Sequence, residues 1–191
     1  MKRVLRYFRG TLLVCAMSLL AYCGYVLINA WIFQRAQTDQ LARLLTSPHA
    51  RALKNRAHAA ADGLIGRLEI PRLGVSVIIM EGTSRTILGQ AAGHIAGTMF
   101  PGQPGNIGIS AHRDTFFRPL RNIRQSDTIM LTTPAGAYRY RVVSTHIVSP
   151  GDVGVLKSSD DEQVLTLVTC YPFYFIGPAP NRFIVRATRI S

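Results

Sequence analysis

Residues Gln163 to Cys170 read Gln-Val-Leu-Thr-Leu-Val-Thr-Cys, and Arg182 to Thr188 read Arg-Phe-Ile-Val-Arg-Ala-Thr, two β-prone runs on either side of the loop Tyr171 to Asn181. As an antiparallel pair with residue 170 opposite 182, they also bring 168 opposite 184 and 166 opposite 186. Cys170 and Arg182 then share one face at the mouth of the pair, with Cβ atoms about 4.5 to 5.5 Å apart. Arg186 lies on that face too, but about 13 Å further along at roughly 3.3 Å per residue. Arg182 is therefore the expected partner of the sulfur.

Upstream, short β-rich runs bounded by Gly, Pro, Asn and Asp recur at Arg67 to Ile70, Val75 to Met80, Asn106 to Ala111, Thr128 to Thr132 and Tyr138 to Val148. His94 to Thr98 supplies a further strand, and brief helices are expected at Ser84 to Gln90 and Phe116 to Ile123. A parallel βαβ fold needs longer helices than these. The expected fold is mainly β, a closed barrel of seven to eight strands with short helices, preceded by one transmembrane helix and a helical stalk.

Thr11 to Phe33 carries no charge and is rich in Leu, Val, Ala, Ile and aromatics. At 1.5 Å per residue it is long enough to cross about 30 Å of hydrocarbon. Lys2, Arg3, Arg6 and Arg9 precede it, whereas Asp39 soon follows it, so the positive-inside rule puts the N-terminus in the cytoplasm and the barrel outside. The run exceeds a signal-peptide core and no small-x-small cleavage site follows, which favours an anchor over a cleaved leader. The expected organisation is a basic segment at 1–10, an anchor at 11–33, a stalk or linker at 34–63 and a catalytic domain at 64–191. In the stalk, Leu41, Leu44 and Leu45 have helical spacing, Pro48 breaks the pattern, and an Ala/Arg/Lys-rich stretch runs from His49 to Ala61 before Asp62-Gly63. This segment is expected to bury little, or to lie on anionic headgroups, leaving His49 and His58 exposed. Residues 1–63 hold nine of the 22 basic residues against two acids, so much of the net charge of +12 sits near the bilayer. That distribution, with no nucleic-acid motif beside it, speaks for membrane topology and against a nucleic-acid partner.

Cys15 and Cys23 fall in the apolar span as small apolar residues, which leaves Cys170 without a partner. A lone cysteine in an oxidising compartment is either a core residue or a reactive thiol. Of the barrel histidines, His146 sits late in a long strand as a wall or surface residue, and His94 follows a glycine with no visible chemistry. His112 ends the run Asn106 to Ala111 and opens the loop Arg113-Asp114-Thr115-Phe116-Phe117, the rim position where barrels carry functional groups. A thiol, an imidazole and a guanidinium together can attack a carbonyl, shuttle a proton and hold an oxyanion. Thr169 either orients that site or is an ordinary strand residue. The loop Tyr171 to Ile176, with Phe173 and Tyr174, either lines a substrate groove or packs as a lid. No CxxC or HxxxH spacing suggests zinc, and Asp160-Asp161-Glu162 reads as a solvated turn without calcium-ligand spacing, so no metal or other cofactor is expected.

Thr166-Leu167-Val168-Thr169-Cys170 resembles the TLxTC signature of the sortases, and Arg182-Phe183-Ile184-Val185 is similar to the strand that carries that family's arginine. Gly105-Asn106-Ile107-Gly108-Ile109-Ser110-Ala111-His112 resembles its G-N-x-x-I-A-G-H segment, with Ala111 where many members have Gly. The resemblance covers about residues 64–191. It is nearest to class D, of the type found in proteobacteria, through Ala111 to Phe117 and the loop Gly177-Pro178-Ala179-Pro180. It implies that Cys170 is the nucleophile, His112 the general acid/base and Arg182 the oxyanion group, with Thr169, Phe173 and Tyr174 near the substrate. It further implies transpeptidation at an LPxTG-like C-terminal sorting signal, and transfer of the protein substrate to an amine acceptor in the cell envelope. The residues alone leave two rivals. A thiol protease would hydrolyse the same kind of signal and ignore added amine, and an inactive membrane-tethered module would only bind. The S-x-G-C-x-R pattern of an L,D-transpeptidase is absent.

Overall fold

The computed structural model describes residues 2–46, 63–157 and 162–190, with side chains from Tyr7 onward. The break at Pro48, the stretch His49 to Ala61 with its two histidines, Asp62 and the turn residues Asp160-Asp161 lie outside the described residues.

Alternation of core and outer residues organises the sheet. Leu165, Leu167, Val185 and Ala187 point inward with Ile107, Ile109, Ile129, Leu131 and Tyr140, while the even-numbered residues of β7 and β8 near the site point outward. The eight strands are β1 (Leu64–Ile70), β2 (Val75–Glu81), β3 (Ala92–His94), β4 (Gly105–Ser110), β5 (Thr128–Thr133), β6 (Gly136–Val148), β7 (Gln163–Tyr171) and β8 (Asn181–Ile190). They close in the order β1-β2-β3-β4-β7-β8-β6-β5. Closure runs through β1, which pairs with both β2 and β5 and carries an irregularity between Leu64 and Gly66. A Cβ at Gly66 would lie 2.2 Å from the Thr132 carbonyl oxygen, so only glycine lets β5 approach there. The first helix, α1 (Lys2–Thr46), precedes the barrel. The expected short helices are found as α2 (Arg85–Leu88), capped by the Ser84 hydroxyl, and a 3-10 turn at Arg118–Asn122.

One expected strand is displaced. His94 to Thr98 is not a strand beyond its first residue; β3 is Ala92–His94, running parallel to β2 with Ile79 beside Ala92. From Ile95 the chain turns instead, because the Thr98 hydroxyl donates back to the Ile95 carbonyl (2.7 Å) and accepts the Gly108 N–H (3.0 Å).

The apolar span belongs entirely to α1, which is long and apolar enough to cross a membrane. Leu12, Leu13, Leu19, Leu20, Tyr22 and Leu27 are all exposed on it, as suits side chains meant for lipid. The helix continues past the span, and there it does bury surface. Leu41 is almost fully enclosed among Leu64, Ile78, Met80 and Ala91, flanked by Phe33, Leu44 and Ile87. Gln34 reinforces this contact by accepting the Ile78 N–H (3.0 Å) and donating to the Gln90 carbonyl (2.5 Å). The first part of the expected stalk is thus packed on the barrel, because its leucines meet an apolar patch on β1, β2 and α2.

Candidate active site

β7 lies between β4 and β8, and both neighbours deliver a functional group to its end. In the β7–β8 pair Cys170 is directly opposite Arg182, with Val168 opposite Ile184 and Thr166 opposite Arg186, the register assumed above for this pair. Across the other edge, the parallel β4–β7 pair keeps a constant offset up to Ser110 beside Val168. Two residues further, the same offset sets His112 level with Cys170. The Ala111 N–H still donates to the Val168 carbonyl at 3.3 Å, so the offset survives into the loop. Cys170 and Arg182 therefore sit on paired strands, with His112 two residues beyond the end of the strand on the other side of β7.

Cys170 is a half-buried free thiol and His112 is exposed. Among the described residues neither side chain has a hydrogen-bond partner, which leaves both open to an incoming ligand. Arg182 is held more firmly. Its Nη1 donates to the carbonyls of Ala179 (3.2 Å) and Asn181 (3.0 Å), so the guanidinium is anchored at one nitrogen while, among the described residues, its other N–H groups remain uncommitted. Arg186 shares its face but sits beside Thr166, away from the sulfur.

Thr169 does not line the groove. It shares the inward face of β7 with Leu165 and Leu167, is buried, and donates its hydroxyl to the Ala111 carbonyl at 2.8 Å. That bond ties the backbone just before His112 to the residue just before Cys170. Phe173 turns inward as well, packing against Tyr171 and Phe183 at ring separations of 6.0 and 5.3 Å over the end of the core. Tyr174, Phe175 and Ile176 are exposed. Of the two roles open to this loop, Phe173 takes that of a lid, and Tyr174 is an aromatic still facing solvent.

Several positioning residues escape a reading of sequence. Arg113 donates to three loop carbonyls, those of Pro172 (3.1 Å), Phe175 (2.6 Å) and Gly177 (3.0 Å), and its guanidinium lies 5.9 Å from the Phe175 ring centroid. The residue after His112 therefore straps down the loop that follows Cys170. Arg121 adds a bond to the Tyr174 hydroxyl (2.6 Å). Their only signal in the sequence is a pair of arginines placed shortly after the histidine. On the other side of the site, Asn106 accepts from the Thr166 hydroxyl (2.8 Å) and donates to the carbonyls of Val155 and Lys157 (3.1 and 3.3 Å). This holds the 3-10 turn Val153–Leu156 against the outer face of β4. A Cβ at Gly108 would meet Thr98, Leu156 and Ile95 at 3.0 to 3.2 Å, so the glycine permits the close approach.

The remaining histidines are accounted for elsewhere. His94 is buried, with Nδ1 2.9 Å from Glu81 Oε2 and Nε2 3.0 Å from the Met99 carbonyl, stacked on Phe100 at 4.5 Å. The Met99 oxygen can only accept, so Nε2 carries a proton and the ring is a structural clasp on the β3–β4 connection. His146 is exposed beside the Ser144 hydroxyl. The far end of the segment that begins at His112 is clamped by Asp127, which pairs with Arg72 Nε and Nη2 and accepts the Arg124 N–H (2.8 Å). The Arg72 guanidinium holds the Asp127 carboxyl below its ordinary range, against a smaller opposing effect of burial.

Comparison with known proteins agrees with this geometry. The sortase domain profile matches residues 68–190. Sortase D of Bacillus subtilis is 35% identical over 126 residues, which is 66% of this chain and 64% of that protein. Sortase A of Listeria monocytogenes is 27% identical over 122 residues, 62% of this chain and 54% of that protein. The chain thus spans less than two thirds of the length of these curated relatives. Among solved structures, a Clostridium perfringens sortase D5 transpeptidase superposes with a TM-score of 0.73 at 26% identity, covering 83% of this chain and 99% of the other.

Proposed function

The chain belongs to the sortase family, and on that premise we propose that it is a membrane-anchored cysteine transpeptidase acting on proteins with an LPxTG-like C-terminal sorting signal. Cys170 gives its thiol proton to His112 and attacks the carbonyl of the scissile peptide bond, forming a C–S bond as the C=O π bond opens, while an N–H group of Arg182 holds the oxyanion. As the tetrahedral intermediate collapses the C–N bond breaks, and His112 gives its proton to the departing amine. The thioester that remains keeps the acyl group activated. An amine acceptor of the cell envelope then attacks it and loses a proton to His112, the C–S bond breaks, and His112 returns that proton to the sulfur, so the cycle needs no nucleotide.

The single observation that carries this reading is the register setting Cys170 opposite Arg182, beside the strand that leads two residues on into His112. The uncommitted N–H groups of Arg182 support its oxyanion role, and Tyr174 stands where it can border the substrate. Thr169 and Phe173 act beneath the site as positioning residues rather than as substrate contacts. Helix α1 supports the anchor: its N-terminal basic residues face the cytoplasm and the barrel stands outside, near a substrate exported through the same bilayer.

The test is turnover of a peptide library built around LPxTG by the full chain in detergent, with and without added amines, followed by mass spectrometry. Transfer product, together with a protein adduct at Cys170 that is absent in Cys170→Ala, supports the proposal. Free acid alone at saturating amine would favour the protease. Unmodified peptide with retained binding would leave only a binding module.

A further inference from the structure

Where α1 leaves its apolar span, it forms with the barrel an open cavity of about 340 Å³ lined by Trp31, Gln34, Arg35 and Thr38 of the helix and by Arg67, Ser76 and Ile78 of β1 and β2. We infer that this cavity is a binding site for the phosphodiester headgroup of an anionic membrane lipid; the inference rests on the membrane reading of α1 given above.

Depth is the first argument. If the hydrocarbon ends near Phe33, a rise of 1.5 Å per residue puts Arg35 about 3 Å and Thr38 about 8 Å beyond it. The headgroup layer is about 5 to 7 Å thick on each side of a bilayer. The cavity therefore lies at the level where lipid phosphates lie, and Trp31 occupies the interfacial position that indoles favour. The helix is held at this height by the Gln34 bonds to β2 and to the Gln90 carbonyl and by the burial of Leu41.

Chemistry is the second. Two arginines, Arg35 and Arg67, line the cavity, and neither forms an ion pair among the described residues. The Arg35 guanidinium is instead stacked 5.1 Å from the Trp31 ring centroid, which fixes its plane without neutralising its charge. The acids in the neighbourhood are Asp39, one turn along α1, and Glu69, two residues from Arg67 on the same strand face; neither lies within salt-bridge distance of an arginine. The hydroxyls of Thr38 and Ser76 add neutral donors. Two unpaired guanidinium groups with hydroxyls beside them, opening at headgroup depth, match a single negative phosphodiester better than a zwitterionic headgroup.

Trp31 is the only tryptophan of the chain, so its emission reports on the cavity directly. The full chain in neutral detergent micelles is titrated with phosphatidylglycerol, phosphatidylcholine or inorganic phosphate. A saturable change in emission is expected with phosphatidylglycerol only. Arg67→Gln, which leaves the Trp31–Arg35 stack intact, should weaken it roughly five-fold, the effect of about one interfacial charge, and Arg67→Lys should restore most of it. Cooperative melting of each variant confirms that it is folded. Equal responses to the two lipids, saturation by inorganic phosphate alone, or an unchanged midpoint in Arg67→Gln would each overturn the inference; the last result would assign the lipid to the basic residues at the opposite end of the helix. A separate measurement guards the premise: retention of the chain in phosphatidylcholine vesicles after an alkaline wash. Loss on washing removes the anchor and the lipid site together, whereas retention without headgroup preference removes the lipid site alone.

Discussion

Replacing Thr169 by valine keeps the shape of the side chain and removes one hydroxyl, which in the folded chain is buried and donates to the Ala111 carbonyl at 2.8 Å. The carbonyl, on the buried Ala111, then loses that partner. Leaving such a group unsatisfied costs about 1 to 3 kcal/mol. For a barrel of this size that corresponds to a fall in Tm of roughly 4 to 12 °C. Catalysis should suffer separately. The lost bond joins the residue before Cys170 to the residue before His112, and a displacement of about 1 Å between reacting groups can cost up to about a hundredfold in rate. The expected result in steady-state assays is a kcat lower by about ten- to a hundredfold with KM within about a factor of two, since Thr169 touches no substrate. Thr169→Ser retains the donor and should recover most of both losses. An unchanged Tm in Thr169→Val, or a serine variant as impaired as the valine one, would refute the reasoning. A change confined to KM would return Thr169 to the substrate groove.

Arg182→Ala should lower kcat/KM by about 10² to 10³, the usual effect of removing an oxyanion donor, while Arg186→Ala, opposite Thr166, should change it less than about threefold; the reverse ranking would reject the Cys170–Arg182 assignment. Arg113→Gln gives up most of three bonds to the loop after Cys170, so amide hydrogen exchange across residues 173–177 should quicken and KM should rise more than kcat falls; unchanged exchange would show that the strap is not needed. The depressed carboxyl of Asp127 contributes stability that is complete above the unfolded value of about 4 and is lost as pH falls through the lower folded value. Melting curves should therefore separate the wild type from Asp127→Asn above about pH 4 and converge in stronger acid; a constant gap would mean that the pair with Arg72 contributes nothing through ionisation. Tyr140 is buried with its hydroxyl unpartnered and its pKa pushed up to about 12, chiefly by burial. Tyr140→Phe should leave the unfolding free energy unchanged or raise it, and a fall of more than about 1 kcal/mol would reveal a partner for that hydroxyl.

Features that repeat over short distances are the ones legible in the sequence. Alternation locates β7 and β8 to within a residue or two, and pairing them around one loop leaves few registers that bury Leu165, Leu167, Val185 and Ala187 together. Cys170 opposite Arg182 is one of those registers, and the folded pair adopts it. β3 is misplaced by the same reasoning for the converse cause. Three residues, one of them glycine, carry no alternation, and the strand exists because β2 offers Ile79 to Met80 as a parallel edge on which Ala92 and Gly93 can pair. The docking of α1 is equally hidden. Leu41 and Leu44 signal an amphipathic helix, but the patch that receives them is assembled from β1, β2 and α2, none of them adjacent to the helix in sequence.

His112 belongs between these cases. Its place at a strand end is legible, but its level with Cys170 depends on β4 lying parallel to β7 at one offset, and alternation is silent on which strands become neighbours or in which direction they run. That offset has a physical cause in Asn106. A buried amide must be satisfied on both its oxygen and its nitrogen, and here the Thr166 hydroxyl serves the first while the Val155 and Lys157 carbonyls serve the second. Slipping β4 by two residues would keep every core side chain inward and still separate Asn106 from the Thr166 hydroxyl and the Val155 and Lys157 carbonyls. Hydrophobic burial thus permits several offsets, and one buried amide selects among them, setting the distance between imidazole and thiol from six residues away.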